Sequence, residues 1–449
     1  MNFFILIISY FLIVTSIIGY GLLFSFLINK NYLTLNIGYL GIFGYFFLSF
    51  ISYFTNLFIP HSETHNLLIH VFGIGFFIFQ WMREKNIAIL DLKKEYKFTI
   101  IIFLVSLLGL FLSKNHDDFP YYHLSYTLNL VEHKLQFGLG NLNHGFNTTS
   151  SLFYFNSLLY FPFLKLYLYN STTLILLSFS NLILLKEIIK DINLKDKNFI
   201  FYFRLFSLIF INVVFYRVAE HGIDRTGQIL AFILFILSFE IFNEKKNKKA
   251  SLILEKILIF LGIIISLKSY FISYLIFLPV IFFNLKNKID FKKIFFSKLI
   301  IFIFIGGVLY FNSNFSNSAC LIYPLESTCI NSKEKISWSQ SKSHVKKMSN
   351  WYELWSKAGA NPNFRVENPD KYIKNFNWVY TWIDKYFFNK VSDTLLGIFF
   401  IIFALFILFF GKRKKLDEKI KFKSVFFTII FLFIIWFCKH PSLRYGGFV

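Results

Sequence analysis

The chain has 449 residues, 56% apolar and 22% aromatic, with 47 Lys and Arg against 25 Asp and Glu and a formal net charge of +22. That apolar fraction, with only 16% charged residues, excludes intrinsic disorder and a small disulfide scaffold and argues against a soluble enzyme. A pI near 9.6 alone would suggest nucleic acid, but the apolar residues come in long runs, so the expected partner is a lipid bilayer and not nucleic acid.

Crossing a hydrocarbon core about 30 Å thick takes roughly 20 apolar residues. Runs near 3–28, 35–59, 66–82, 98–113, 170–189, 198–216, 227–242, 252–267, 269–284, 298–312, 394–410 and 424–438 predict an all-α polytopic membrane protein of about 12 transmembrane helices. The first run lacks a basic n-region and a small-residue cleavage site, and reads as a retained helix. The chain divides into a four-helix segment (1–113), a first large outer loop with a juxtamembrane helix (114–169), a six-helix core (170–312), an outer Trp-rich loop (313–393) and C-terminal helices with an outer tail (394–449).

Lys and Arg favour the cytoplasmic side. The short segments 82–97, 186–197, 244–256, 284–298 and 411–423, with Lys30, carry more than half of all the basic residues. Placing all six inside gives one topology with both termini outside, provided that the apolar stretch near 150–168 does not cross. That stretch is therefore expected to be a re-entrant or surface-lying helix on the outer side.

The outer face then collects the residues that could do chemistry. Asp117 and Asp118 follow the fourth span, with His116 and His123 nearby. Adjacent carboxylates repel, which raises the pKa of one and suits a general base or a divalent-cation site. The pair also fits a solvated helix cap. Gly138-Leu-Gly-Asn-Leu-Asn-His144, with Asn141 and His144, could present backbone N–H groups to an anion or form an ordinary turn. The short connection 217–228 holds Arg217, Glu220, His221, Asp224 and Arg225. Such density is costly unless the groups pair or bind something. Lys268, at a tight outer turn, runs against the basic-inside bias, and Arg444 follows the last span. Either could meet lipid headgroups or grip a phosphate. Trp338, Trp351, Trp355, Trp378 and Trp382 lie in the long outer loop. The pairs 351/355 and 378/382 have helical spacing and suit either sugar stacking or interface anchoring. Cys320 and Cys329 share that loop, where an oxidising compartment would permit a disulfide. No zinc, P-loop or GxSxG pattern is present.

The acidic residues followed by Tyr121-Tyr-His123 in the first outer loop resemble those of GT-C superfamily glycosyltransferases, polytopic enzymes that take sugars from polyprenyl-linked donors. Together with Gly138–His144, Glu220-His-Gly-Ile-Asp224, Lys268 and Arg444, they are also similar to a GT-C-like group of uncharacterised bacterial membrane proteins. The likeness covers roughly 114 to 446. It implies a catalytic carboxylate on Asp117 or Asp118 and juxtamembrane helices in the first loop. The chain departs from the pattern in having four spans before the acidic loop, where one is common. It also ends just behind Arg444, where such chains run on through more helices, which suggests a truncated product.

The expectation is a glycosyltransferase at the outer face of a bacterial inner membrane, moving a sugar from a polyprenyl phosphate or diphosphate to a cell-envelope glycan or lipid acceptor. Asp117 or Asp118 would be the base, oriented by His123. Arg217, Arg225, Lys268 and Arg444 would hold the donor phosphate, with Glu220, His221, Asp224, Asn141 and His144 in support. Trp351 and Trp355 would stack on the acceptor. A divalent cation at Asp117 and Asp118 is admitted but not required. Two competing readings are a polysaccharide polymerase or ligase with its chemistry in 313–393, and a lipid-linked glycan transporter. The transporter would need charges at mid-membrane depth, of which Arg204 is the main example.

Overall fold

The computed structural model describes residues 3–28, 36–83, 87–111, 118–194, 198–215, 222–361, 364–409 and 422–446. It is all-α apart from a two-residue antiparallel pairing of β1 (Ala360–Asn361) with β2 (Phe364–Arg365). The first four helices are α1 (Phe3–Ile28), α2 (Ile37–Asn56), α3 (Glu63–Arg83) and α4 (Ile87–Phe111). The next two, α5 (Leu124–Glu132) and α6 (Ser151–Ser157), belong to the first large loop. Then come α7 (Ser171–Asn193), α8 (Phe199–Val213), α9 (Gly222–Asn243) and α10 (Asn247–Leu267). A 3₁₀ segment, Ser269–Ile276, leads into α11 (Phe277–Leu285), followed by α12 (Phe291–Phe295) and α13 (Lys298–Ser318). The long loop carries α14 (Lys342–Ser356), α15 (Pro369–Ile373) and α16 (Val379–Trp382), and the chain closes with α17 (Ser392–Phe409) and α18 (Lys423–Lys439).

Among the described residues, eight helices are long and apolar enough to cross a membrane: α1, α2, α3, α7, α9, α10, α13 and the continuous helix Val379–Phe409. The other four expected spans are shorter or interrupted. The first half of α4 carries Asp91, Lys93, Lys94, Glu95 and Lys97, and its backbone kinks at Glu95 (φ −112°, ψ 17°). Helix α8 has 15 residues, α18 has 17, and 269–285 is part 3₁₀ and part α.

Helices α2, α7 and α9 are the most enclosed, while α3 and α17 leave most of their apolar surface outward, as helices facing lipid do. Backbones approach closely where glycine permits it. A Cβ on Gly44 would stand 1.8 Å from the Ile17 carbonyl oxygen, and one on Gly19 would stand 1.9 Å from that of Gly73. Small residues play this part in membrane helix packing, where apolar side chains gain nothing by leaving lipid.

Helix ends sort into two groups. At the end expected inside, Lys186 of α7 meets Glu95 of α4 at 3.0 Å. Arg204 pairs there with Asp191 of α7 and with Glu240 of α9 at 2.5 Å. Arg204 is thus held by carboxylates at the ends of neighbouring helices, not left alone at mid-depth. At the opposite end, the 150–168 stretch forms only the seven-residue α6 followed by turns, consistent with its not crossing. Ser150 caps its start by accepting from the Leu152 N–H. Its C-terminal carbonyls, which a buried helix end must satisfy, accept from α3. Asn66 Nδ2 reaches the carbonyls of Ser157 (2.8 Å) and Tyr160 (2.9 Å), and His70 Nε2 lies 3.2 Å from that of Leu158. Ser266 of α10 donates to Ser151 at 2.9 Å. Asn314 of α13 accepts from both the N–H and the hydroxyl of Thr149.

The turn after α6 ends at Lys165, which pairs with Glu63 at the start of α3. Lys165→Cys, in an otherwise cysteine-free variant, is expected to react with a membrane-impermeant maleimide added to intact spheroplasts. Labelling only after lysis would place this stretch on the wrong side.

Candidate functional site

At the end opposite the Arg204 cluster lies a cavity of about 530 Å³. Five separate stretches build it: the first loop, the start of α9, the turn after α10, the long loop through α14, and the segment after α18. Asp118 stands just before Phe119-Pro-Tyr-Tyr-His123, which forms a single π-helical turn running into α5. Asp224 lies in the first turn of α9. Lys268 ends α10, in extended backbone. Arg444 sits on a 3₁₀ turn, Leu443–Tyr445, that Gly446 ends in left-handed backbone (φ 92°).

These four residues make one alternating ionic cluster. Arg444 Nε donates to Asp224 Oδ2 at 3.0 Å, and Arg444 Nη2 lies 3.4 Å from Asp118 Oδ2. Lys268 Nζ pairs with the other Asp224 oxygen and lies 3.4 Å from the Arg444 carbonyl oxygen. The Tyr122 hydroxyl donates to Asp118 Oδ2 at 3.2 Å. Lys268 also lies 4.0 Å from the centre of the Tyr445 ring, and Arg444 lies 5.4 Å from that of Trp355, both within cation–π range. The Asp224 and Lys268 side chains keep only 10% and 17% of their surface exposed, so little solvent screens the pair.

Burial shapes the titration here. It pulls Lys268 down to about 8, an effect that Asp224 opposes and Arg444 reinforces. Burial pushes the Tyr122 phenol well above its usual value, with Asp118 adding to the shift. His440 is lowered to about 4 by burial and by Lys268, Lys357 and Lys439, so its ring is neutral at pH 7.

The segment carrying Arg444 is tied from several sides. Trp382 Nε1 donates to the Pro441 carbonyl (2.7 Å), Trp436 Nε1 to that of Ser442 (2.8 Å) and Gln228 Nε2 to that of Leu443 (2.5 Å). The Leu443 N–H donates to the Tyr386 hydroxyl at 2.8 Å.

Of the residues expected at the site, Asp118, His123, His144, Asp224, Lys268, Trp351, Trp355 and Arg444 all line this cavity. Asn141 does not. Gly138, at φ 78°, turns the chain so that Asn141 Nδ2 donates to the Trp338 carbonyl of the long loop. Arg225 is also off the cavity wall. It bonds Gln228 one helical turn on and lies 4.9 Å from the centre of the Phe215 ring. Asp117, Arg217, Glu220 and His221 lie outside the described residues. Tyr122, part of the Tyr121-Tyr-His123 motif, lines the cavity as well, and Tyr445 and His440 join the site without having been singled out. Tyr445 adjoins Arg444, and neighbourhood was its one visible signal.

Among the described residues, no group of three His, Cys, Asp or Glu side chains could hold a metal. Asp118 and Asp224 point their oxygens at a guanidinium and an ammonium. A divalent cation bound to these two acids would face two like charges, so the described residues do not fit one.

Fold and site define a polytopic helical membrane protein with an ionic and aromatic cavity at the end away from its basic loops. The chain belongs to the family described as a domain of unknown function, DUF8201, whose model matches residues 1–449. No curated protein and no solved structure matches it.

Proposed function

We propose that the protein is a GT-C-type glycosyltransferase. It has twelve spans with both termini outside a bacterial inner membrane, and its cavity faces the periplasm or exterior. It moves a sugar from a polyprenyl phosphate or diphosphate to a cell-envelope glycan or lipid acceptor. The observation that carries the reading is a carboxylate and two basic side chains held together in one cavity: Asp118, Lys268 and Arg444. Asp118 takes the proton of the acceptor hydroxyl. The acceptor oxygen bonds to the anomeric carbon as the carbon–oxygen bond to phosphate breaks, and that bond's electron pair leaves with the phosphate. Lys268 and Arg444 stabilise the departing charge, assisted by the N-terminus of α9. The resemblance of the Asp117–His123 stretch to GT-C enzymes supports the same assignment. The outer-loop wall contributes aromatic groups and no carboxylate, which favours this reading over chemistry centred in 313–393.

The direct test uses the full chain in nanodiscs with decaprenyl phosphate as the probe. Binding is expected to be saturable and to weaken as pH rises through about 8, where Lys268 gives up its proton. Stability follows the opposite sign. The unfolded chain keeps this proton up to its usual 10.5, so between about 8 and 10.5 it binds more protons than the folded one. Lys268 alone then makes stability rise with pH in that window. Affinity for the lipid phosphate that stays flat from pH 6.5 to 9.5 would exclude Lys268 from the donor site.

A further inference from the structure

The cavity has two unlike walls. One is the ionic cluster just described. The other comes from α14 and the turn at 322–325, and its lining residues include Tyr323, Pro324, Ser349, Trp351, Tyr352 and Trp355, with no Asp, Glu, Lys or Arg on that side. The five loop tryptophans divide accordingly. Trp378 and Trp382 are buried in the small core of the outer domain with Trp436, and Trp338 packs against Phe137 at 4.7 Å. Only Trp351 and Trp355 face the cavity. They stand one helical turn apart, so their rings share one face of α14.

Both rings already meet cations on one side, Trp351 with Arg365 (5.8 Å) and Trp355 with Arg444 (5.4 Å). The facing turn is closed by the Cys320–Cys329 disulfide and braced to α14 by the Glu326–Lys342 pair at 2.8 Å. It brings in Tyr323, whose buried hydroxyl has no hydrogen-bond partner among the described residues. A buried hydroxyl left unmatched costs free energy until something bonds it. The lining of the wall therefore offers apolar ring faces and an unmatched hydroxyl, with Arg365 and Arg444 beside the rings as the charges nearest to them. That combination suits a ligand that is apolar on its faces and hydroxylated at its edges.

We infer that the α14 wall is the acceptor platform and that the acceptor is the uncharged end of an oligosaccharide, its pyranose faces on Trp351 and Trp355 and a hydroxyl on Tyr323. This rests on the transferase reading above and adds to it the acceptor's chemical class.

The experiment incubates the full chain in nanodiscs with an array of neutral hexose and N-acetylhexosamine oligomers and of uronate-bearing oligomers. Decaprenyl phosphate binding is measured on the same samples. Retention is expected on neutral oligomers. Trp351→Ala should weaken it about tenfold, the equivalent of losing one good stacking contact, and Trp351→Phe should restore most of it. Decaprenyl phosphate binding by Trp351→Ala should match that of the parent, which also shows that the variant is folded. Retention on uronate-bearing oligomers alone, equal retention by Trp351→Ala, or no glycan retention with lipid-phosphate binding intact would each overturn the platform and leave the donor reading standing. If the parent binds neither probe, both fall.

Discussion

Asp118→Asn is expected to abolish sugar transfer while leaving the protein folded and able to bind lipid phosphate. The amide keeps the shape and can still accept from the Tyr122 hydroxyl, but it cannot take a proton. Loss of a positioned general base costs about 10²- to 10⁴-fold in rate. Removing the carboxylate leaves Arg444 with Asp224 as its anionic partner at 3.0 Å, so the basic side of the cavity persists. The measurement is transfer of labelled sugar from a polyprenyl-linked donor by nanodisc-embedded protein, with decaprenyl phosphate binding in parallel. A variant that transfers at the parent rate removes Asp118 from the chemistry. If binding is also lost, the change has disturbed the cavity as a whole, and Asp118→Glu then separates charge from shape.

The second large effect concerns Asp224 and Lys268. Each is mostly buried and each is the other's closest ionic partner. Removing Asp224 strands the Lys268 ammonium in a poorly solvated place, which costs about 3–5 kcal/mol when fully buried, whereas removing Lys268 leaves Asp224 with Arg444 at 3.0 Å. Asp224→Asn should therefore lower the thermal midpoint substantially, and Lys268→Met should lower it less. The double variant should be less damaged than the sum of the two, because the ammonium that Asp224→Asn strands is then absent. A coupling on the order of 1–3 kcal/mol is expected for groups in direct contact. Asp224→Asn leaves two basic groups with less negative charge beside them, so its affinity for decaprenyl phosphate should rise even as stability falls. Additive midpoints in the thermal cycle would show that the two groups do not act as a pair. Unchanged affinity in Asp224→Asn would show that Asp224 does not compete with the phosphate.

Much of this arrangement was legible in the sequence, and the reasons differ from residue to residue. Apolar runs announced the helices because lipid demands about 20 apolar residues per crossing. The behaviour of 150–168 followed from charge bookkeeping in distant loops, and α6 is indeed too short to span. Lys268 and Arg444 stood out as basic residues on the less basic side, and they share an acid. What stayed hidden was pairing. Nothing local distinguishes Arg225, which turns back to Gln228, from Arg444, which reaches Asp224 across 220 residues of chain. Asn141 resembled an anion ligand until Trp338, 197 residues away, claimed its amide. The tryptophans could not be sorted by spacing, since both i,i+4 pairs are helical and only one faces the cavity. Arg204 looked like a mid-membrane charge because its three carboxylate neighbours lie on other helices.

Asp118 and Arg444, which close the ionic cluster, are 326 residues apart. At about 5–20 residues per second of synthesis, the ribosome spends on the order of tens of seconds between them. Throughout that interval Asp118 waits for the guanidinium of Arg444. Assembly of the cavity is therefore a late event in biogenesis, completed only when the helices in between have been inserted and the final strap has been pinned by Trp382, Trp436 and Gln228. A nascent chain stalled anywhere before α18 lacks Arg444 and cannot close the ionic cluster. The chain thus carries a built-in delay between the making of its first loop and the closing of its cavity.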